Sequence, residues 1–228
     1  MGVRFNILTG LTVMIVFCSS SLYAGDLDGR EESSQQADHS SSKRPEVSCE
    51  LKVKERYEFY DISGSTIDEW RRQMKQNGTR WNDGKVYAAL ATWDIRYRYQ
   101  VSDQDDRYSV KSVKTDVEIT YNFPRLVYYG ADAELVALWG KYLASLKQHE
   151  FGHKDLAVKT AGEINEVLAA LDSFSSKSKL HQEASRQADE KLQRLKSVQV
   201  AYDDETRHGE TQGAILPIAM TAQVQEHQ

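Results

Sequence analysis

The chain has 228 residues, with 29 Lys and Arg against 34 Asp and Glu, for a formal net charge of −5. That length holds one domain or two small ones, at roughly 100–200 residues each, and the acidic balance excludes a duplex nucleic-acid binder, which needs a basic footprint. Three prolines and 13 glycines exclude collagen-like and proline-rich architectures, and two cysteines exclude a disulfide framework.

Residues 1–24 read as a secretory signal peptide. Arg4 supplies the basic start, Ile7 to Phe17 the apolar stretch, and Ala24 the small residue before cleavage. About eleven apolar-type residues are too short to cross a ~30 Å hydrocarbon core, so no stable membrane insertion is expected after cleavage; an uncleaved anchor is the rival reading. The expected location is the periplasm or the cell exterior. Cleavage removes Cys18 and leaves Cys49, which reads as a small buried apolar side chain on a strand; a reactive nucleophile is the alternative, though nothing nearby in sequence would lower its pKa. Residues 25–46 are Ser-, Gln- and charge-rich and read as a disordered linker, because they bury too little to offset ordering entropy.

Residues 47–213 read as one folded domain of α+β class: a small antiparallel sheet with a short helix, then two long helices. Leu51, Val53, Tyr57 and Phe59 alternate with Lys52, Lys54, Arg56 and Glu58. Trp93, Ile95, Tyr97, Tyr99 and Val101 repeat the period of two, and Val113, Thr115, Val117, Ile119, Tyr121 and Phe123 repeat it again. Such alternation marks strands with one wet face and suggests antiparallel pairing. The cluster Ser102 to Asp106 makes a hairpin of the last two. The aromatic residues are either strand formers or a substrate groove.

A short helix follows the first strand, capped by Ser65 or Thr66, with Glu69 to close a capping box and Gly78 to end it. Asp132, after Gly130 and Ala131, starts a long helix with an apolar stripe through Trp139, Tyr142, Leu146, Leu156, Thr160 and Ile164. A Ser-rich break over residues 172–178 precedes a second helix carrying Leu180, Ala184, Ala188, Leu192, Leu195 and Val198. Residues 214–228 read as a flexible C-terminal tail.

Residues 149–153 are His-Glu-Phe-Gly-His. Four residues rise about 6 Å on a helix, nearly one turn, so both imidazoles leave from one face and can meet one ion. Zinc (Zn2+) accepts imidazole nitrogen, and Glu150, one residue on, is placed to reach water at the metal. This is the HExxH arrangement of metalloproteases. Composition alone produces it about 0.01 times in a chain like this one. Both histidines also fall on the core stripe, where unsatisfied polar groups are costly and a metal would serve both. Core histidines with ordinary backbone partners are the alternative.

Catalytic zinc takes three protein ligands and leaves a position for water. His208, His181, Glu163, Asp203 and Asp204 are the candidates for the third. Glu163 lies about 15 Å along the same helix from His153, and His181 starts the second helix, so His208 is preferred. Two straight antiparallel helices would carry His208 roughly 20 Å past His153. A break or kink is therefore predicted over Val198 to Asp204, where β-branched residues and Asp weaken a helix. Asp203 or Asp204 could instead orient a ligand imidazole or lie in a solvated turn. Tyr202 is a possible oxyanion donor, with core packing as its other reading.

From about Val47 to Pro217 the chain resembles a bacterial family, domain of unknown function 922. The resemblance rests on Tyr60-Asp61-Ile62-Ser63-Gly64, Trp93, Tyr97, the HEFGH motif, and the run from Tyr202 to Ala214, YDDETRHGETQGA. It implies a zincin-like secreted zinc metallopeptidase acting on peptide or protein substrates, with His149 and His153 as ligands and Glu150 as general base. A second reading from a different class is a non-catalytic zinc-stabilised envelope binding or scaffold protein, recognised by a closed four-ligand site.

Overall fold

A computed structural model describes residues 46–127 and 132–217. The expected signal peptide, nearly all of the linker, Gly130 and Ala131, and the end of the tail lie outside the described residues. The elements run β1 (Ser48–Ile62), α1 (Ile67–Asn77), a two-stranded ribbon β2 (Thr79–Arg80) and β3 (Val86–Tyr87), β4 (Leu90–Gln104), β5 (Arg107–Leu126), α2 (Ala133–Ala169) and α3 (Lys177–Thr206), then a 3-10 turn, Glu210–Gln212. The class is α+β, as read from the sequence.

β4 and β5 form the expected hairpin. Gln104 faces Arg107, which leaves Asp105-Asp106 as a two-residue turn with φ of 51° and 55°. Both residues are left-handed, as a type I′ turn requires, and Asp tolerates that region. The alternating rows Trp93, Ile95, Tyr97, Tyr99 and Val113, Val117, Ile119, Tyr121, Phe123 are all buried.

β1 corrects two expectations. It pairs parallel to β5, from Ser48 opposite Ser112 to Ile62 opposite Leu126, so the sheet is mixed, in the order β1-β5-β4. Alternation reports which face is wet, not strand direction; direction is set by the α1 and ribbon connection, which turns the chain before β4. The apolar row of β1 is also not buried: Leu51, Val53, Tyr57 and Phe59 are 38–48% exposed. The row faces the side of the sheet that β5 buries, but α2 packs chiefly on β5 and leaves this edge strand at the rim. Cys49, on the same strand, is exposed rather than buried. Partial burial raises its thiol pKa, the opposite of an activated thiolate.

Thr66 caps α1, its hydroxyl accepting from Glu69 N while the Glu69 carboxylate accepts from the Thr66 N–H, and Gly78 ends the helix. Fully buried Trp70 meets Trp139 of α2 edge-on at 5.5 Å between ring centroids. Asp132 caps α2 by accepting from Leu135 N. Buried Asn165 on α2 bonds Thr115 Oγ1 and the Glu50 carbonyl, so the polar contact under the sheet is satisfied.

α3 corrects a further expectation. It continues as helix to Thr206, with no break over residues 198–204. The long reach is absorbed elsewhere. Lys191 bonds Glu163, Gln199 bonds His153 and Asp203 bonds His149. These pairings place the start of α3 roughly 10 Å beyond the last turn of α2. The connector supplies that offset: Phe174 pairs with Tyr108, and Arg107 bonds Ser173. Val198 and Val200 each weaken a helix by only tenths of a kcal/mol, too little to end one anchored by Gln199 and Asp203.

Candidate metal centre

The HExxH residues face the junction of α2 with α3. His149 and Glu150 are 3% and 4% exposed, and His153 is buried. The two Nε2 atoms lie 3.2 Å apart. Asp203, projecting from the last turns of α3, places Oδ1 3.2 Å from His149 Nε2 and 3.0 Å from His153 Nε2. Ligand atoms of these three residues all lie within 4.8 Å of one another.

The surrounding bonds decide what those atoms are. Gln199 Nε2 donates to the His153 carbonyl, which turns Gln199 Oε1 toward His153 Nδ1. Tyr202 donates its hydroxyl hydrogen to the His149 carbonyl, so that oxygen accepts from Gln212 Nε2, and Gln212 Oε1 faces His149 Nδ1 at 3.1 Å. Each Nδ1 therefore meets an amide oxygen and must carry the ring hydrogen. In the neutral imidazoles both Nε2 atoms hold lone pairs, and they converge with a carboxylate oxygen. Three electron-pair donors in one buried spot repel unless a cation or a proton lies between them. Two imidazole nitrogens and a carboxylate are a zinc donor set, and outer partners that fix the tautomer usually accompany one. The residues present fit the ion.

The ionisation pattern follows from the same contacts. Burial opposes charge on His153, but the Asp203 bond and the nearby Glu150 outweigh it and raise its pKa. Burial works against the Asp203 carboxylate as well, yet its bonds to His149 and His153 pull its pKa well below the usual carboxylate range. Burial pushes the Glu150 carboxyl up, against the pull of His153 and His149. Glu150 Oε2 accepts from the Ala91 backbone N–H of β4 at 2.7 Å, which leaves Oε1 for other work.

Asp203 is thus the third donor that converges with the histidine pair, and His208 takes a different place. Arg207, His208 and Gly209 have φ of 50°, 53° and 87°. This left-handed run ends α3 and folds the chain back over α2. It sets the half-exposed His208 ring beside Asp203, Nδ1 to Oδ1 3.4 Å, and edge-on to Tyr87 at 5.7 Å. His181 is elsewhere, bonded to Tyr99, and Glu163 pairs with Lys191.

Tyr202 packs against both histidine rings. Its ring stacks on His149 at 5.1 Å and 8°, and its hydroxyl is engaged by the α2 backbone and Gln212. These contacts match the packing reading of Tyr202 and engage its hydroxyl at both the His149 carbonyl and Gln212. Gly152, inside the motif, makes room for it: a Cβ there would lie 2.1 Å from the Tyr202 hydroxyl. Gln199 and Gln212 escaped the sequence reading. A glutamine carries no motif, though Gln199 lies on the buried stripe of α3, four residues after Leu195 and four before Asp203.

A cleft of about 610 Å³ opens onto His149, Glu150, His153 and Asp203, walled by the ribbon and the start of β4 on one side and by the end of α3 on the other.

No curated protein and no solved structure matches the chain. A family model described as "Bacterial protein of unknown function (DUF922)" matches residues 57–209. That span runs from the middle of β1 to the turn after α3 and takes in His149, Glu150, His153, Gln199, Tyr202, Asp203 and His208. With two thirds of its length under that model, the chain belongs to the bacterial DUF922 family.

Proposed function

We propose that the protein is a secreted or periplasmic zinc-dependent metallopeptidase. The observation that carries this reading is the convergence of two Nε2 lone pairs and the Asp203 carboxylate beside a buried glutamate at the floor of an open cleft. A zinc ion held by His149, His153 and Asp203 would supply Lewis acidity and a water that ionises near neutral pH. Glu150 is the general base: Ala91 fixes one carboxylate oxygen, and Oε1 takes the water proton and later delivers it to the leaving amine. Its raised pKa brings the carboxyl closer to working pH, where both transfers are efficient. Gln199 and Gln212 hold the imidazole tautomers, and Tyr202 holds the helix turn that carries His149.

A zinc-stabilised scaffold is the second reading, and one observation favours it. His208 stands 3.4 Å from Asp203 and could close the coordination as a fourth ligand. Elemental analysis and a protease assay separate the two. The peptidase binds one zinc per chain, loses it in Asp203→Ala, keeps it in His208→Ala, and in Glu150→Gln keeps zinc while losing hydrolysis. Zinc lost in His208→Ala, with no hydrolysis by the wild type, would establish the scaffold instead.

A further inference from the structure

The cleft is not uniform along its length. A second cavity, of about 300 Å³, adjoins it and shares Trp81, Leu90, His153, Val200 and Asp203 with it. It lies between the first residues of β4 and α3, and its other walls include Ala91, Trp93, Lys196 and Gln199. Five of its nine lining residues are therefore large or small apolar side chains, and Gln199 is already bonded through both ends to His153. The larger cavity is mixed: Asp83, Lys85, Asp204, Arg207 and Glu210 stand in its walls beside apolar residues such as Val86, Leu146 and Ala214. Of the donors, His153 and Asp203 line both cavities and His149 the larger one. Val200 projects at the join and is 62% exposed, a large apolar side chain left in water on an otherwise polar helix face. Isolated exposed apolar residues are ordinary, but this one continues the wall of an apolar cavity.

We propose that the 300 Å³ cavity between β4 and α3 is a specificity site, which takes a large apolar side chain, aromatic or leucine-sized, of the substrate residue adjoining the scissile bond. The inference rests on the peptidase reading above. An apolar pocket of about 150 Å³ already holds a benzene ring, so this one admits Phe, Tyr, Leu or Met without rearrangement. Burying such a side chain is worth about 1.5–3 kcal/mol, enough to rank substrates by roughly tenfold to a hundredfold.

The test is a positional peptide library with blocked termini, offered to the zinc-loaded full chain carrying Glu150→Gln, with retained peptides sequenced. The expected result is enrichment of Phe, Tyr, Leu and Met at one position, at least tenfold over Gly and Asp. Adding Val200→Arg, at an exposed position that folding tolerates, should cut that enrichment at least tenfold with zinc content unchanged; Val200→Ala should preserve it. No positional enrichment, no retained peptide, or enrichment untouched by Val200→Arg would each overturn the assignment. Protein hydrolysis by the wild-type zinc form separates the failures. If it persists without enrichment, only the cavity assignment falls; if zinc binds and neither hydrolysis nor retention occurs, the peptidase reading falls too.

Discussion

Gly152→Ala should weaken this protein, although helix propensity says the reverse. Glycine inside a helix costs about 1 kcal/mol relative to alanine, so on local grounds the substitution stabilises α2. The added Cβ would sit 2.1 Å from the Tyr202 hydroxyl, 2.4 Å from Cζ and 2.9 Å from Cε1. The ring has no easy retreat. It is stacked on His149, lies edge-on to His153 at 4.9 Å, and holds two hydrogen bonds. Overpacking costs about 1–3 kcal/mol, and two lost hydrogen bonds about 0.5–1.5 kcal/mol each. Against the propensity gain, the net destabilisation is about 1–5 kcal/mol. Because Gln212 is held by Tyr202 and in turn holds His149 Nδ1, zinc affinity should fall as well, about 10–100-fold, as for other outer partners of a ligand histidine. Urea unfolding of the metal-free protein reads the first effect and chelator competition the second. In a Tyr202→Ala background the same substitution should turn neutral or stabilising. A Gly152→Ala protein that is about 1 kcal/mol more stable, with unchanged zinc affinity, would refute the reasoning.

Gln199→Leu removes the acceptor from His153 Nδ1 while keeping side-chain volume, and should lower zinc affinity about 10–100-fold with little loss of helix content by circular dichroism; unchanged affinity would mean that Gln199 does not set the tautomer. The raised pKa of His153 makes metal-free stability depend on pH: its contribution is fully present below about pH 6.5 and is lost as pH rises through the raised value. Zinc bound by His153 would replace that proton, so the rise in Tm on zinc loading should grow from pH 6 to pH 9, and calorimetry in buffers of different ionisation enthalpy should register proton release on binding. A zinc-induced Tm rise that shrinks with pH would contradict this. Thr66→Ala removes the N-cap of α1 and half of its capping box, and should cost about 1 kcal/mol in urea unfolding without changing zinc content.

Much of the fold was legible because its determinants are local. The Thr66 cap and the alternation in β4 and β5 are written in neighbouring residues, and so is the His-x-x-x-His step that puts both rings on one face of α2. β1 was misread for a physical reason: a period of two is the same in parallel and antiparallel strands, and it marks one face as apolar without stating that anything covers it. Only the packing of α2 on β5 decides that Leu51, Val53, Tyr57 and Phe59 lie at the rim.

The centre divides the same way. By itself the sequence determined that His149 and His153 share a face, with Glu150 one residue on, since helical pitch converts spacing into direction. Tertiary structure decided the rest. Whether Asp203 or His208 meets that face depends on the offset between two helices, set by the connector that Phe174 ties to Tyr108, about thirty residues from the site. A shift of one residue along a helix turns a side chain by 100°, so the third donor is chosen by where α3 begins rather than by its own composition. The roles of Gln199, Gln212 and Tyr202 depend on the same offset, because each acts only through an atom of α2 that no sequence spacing brings near.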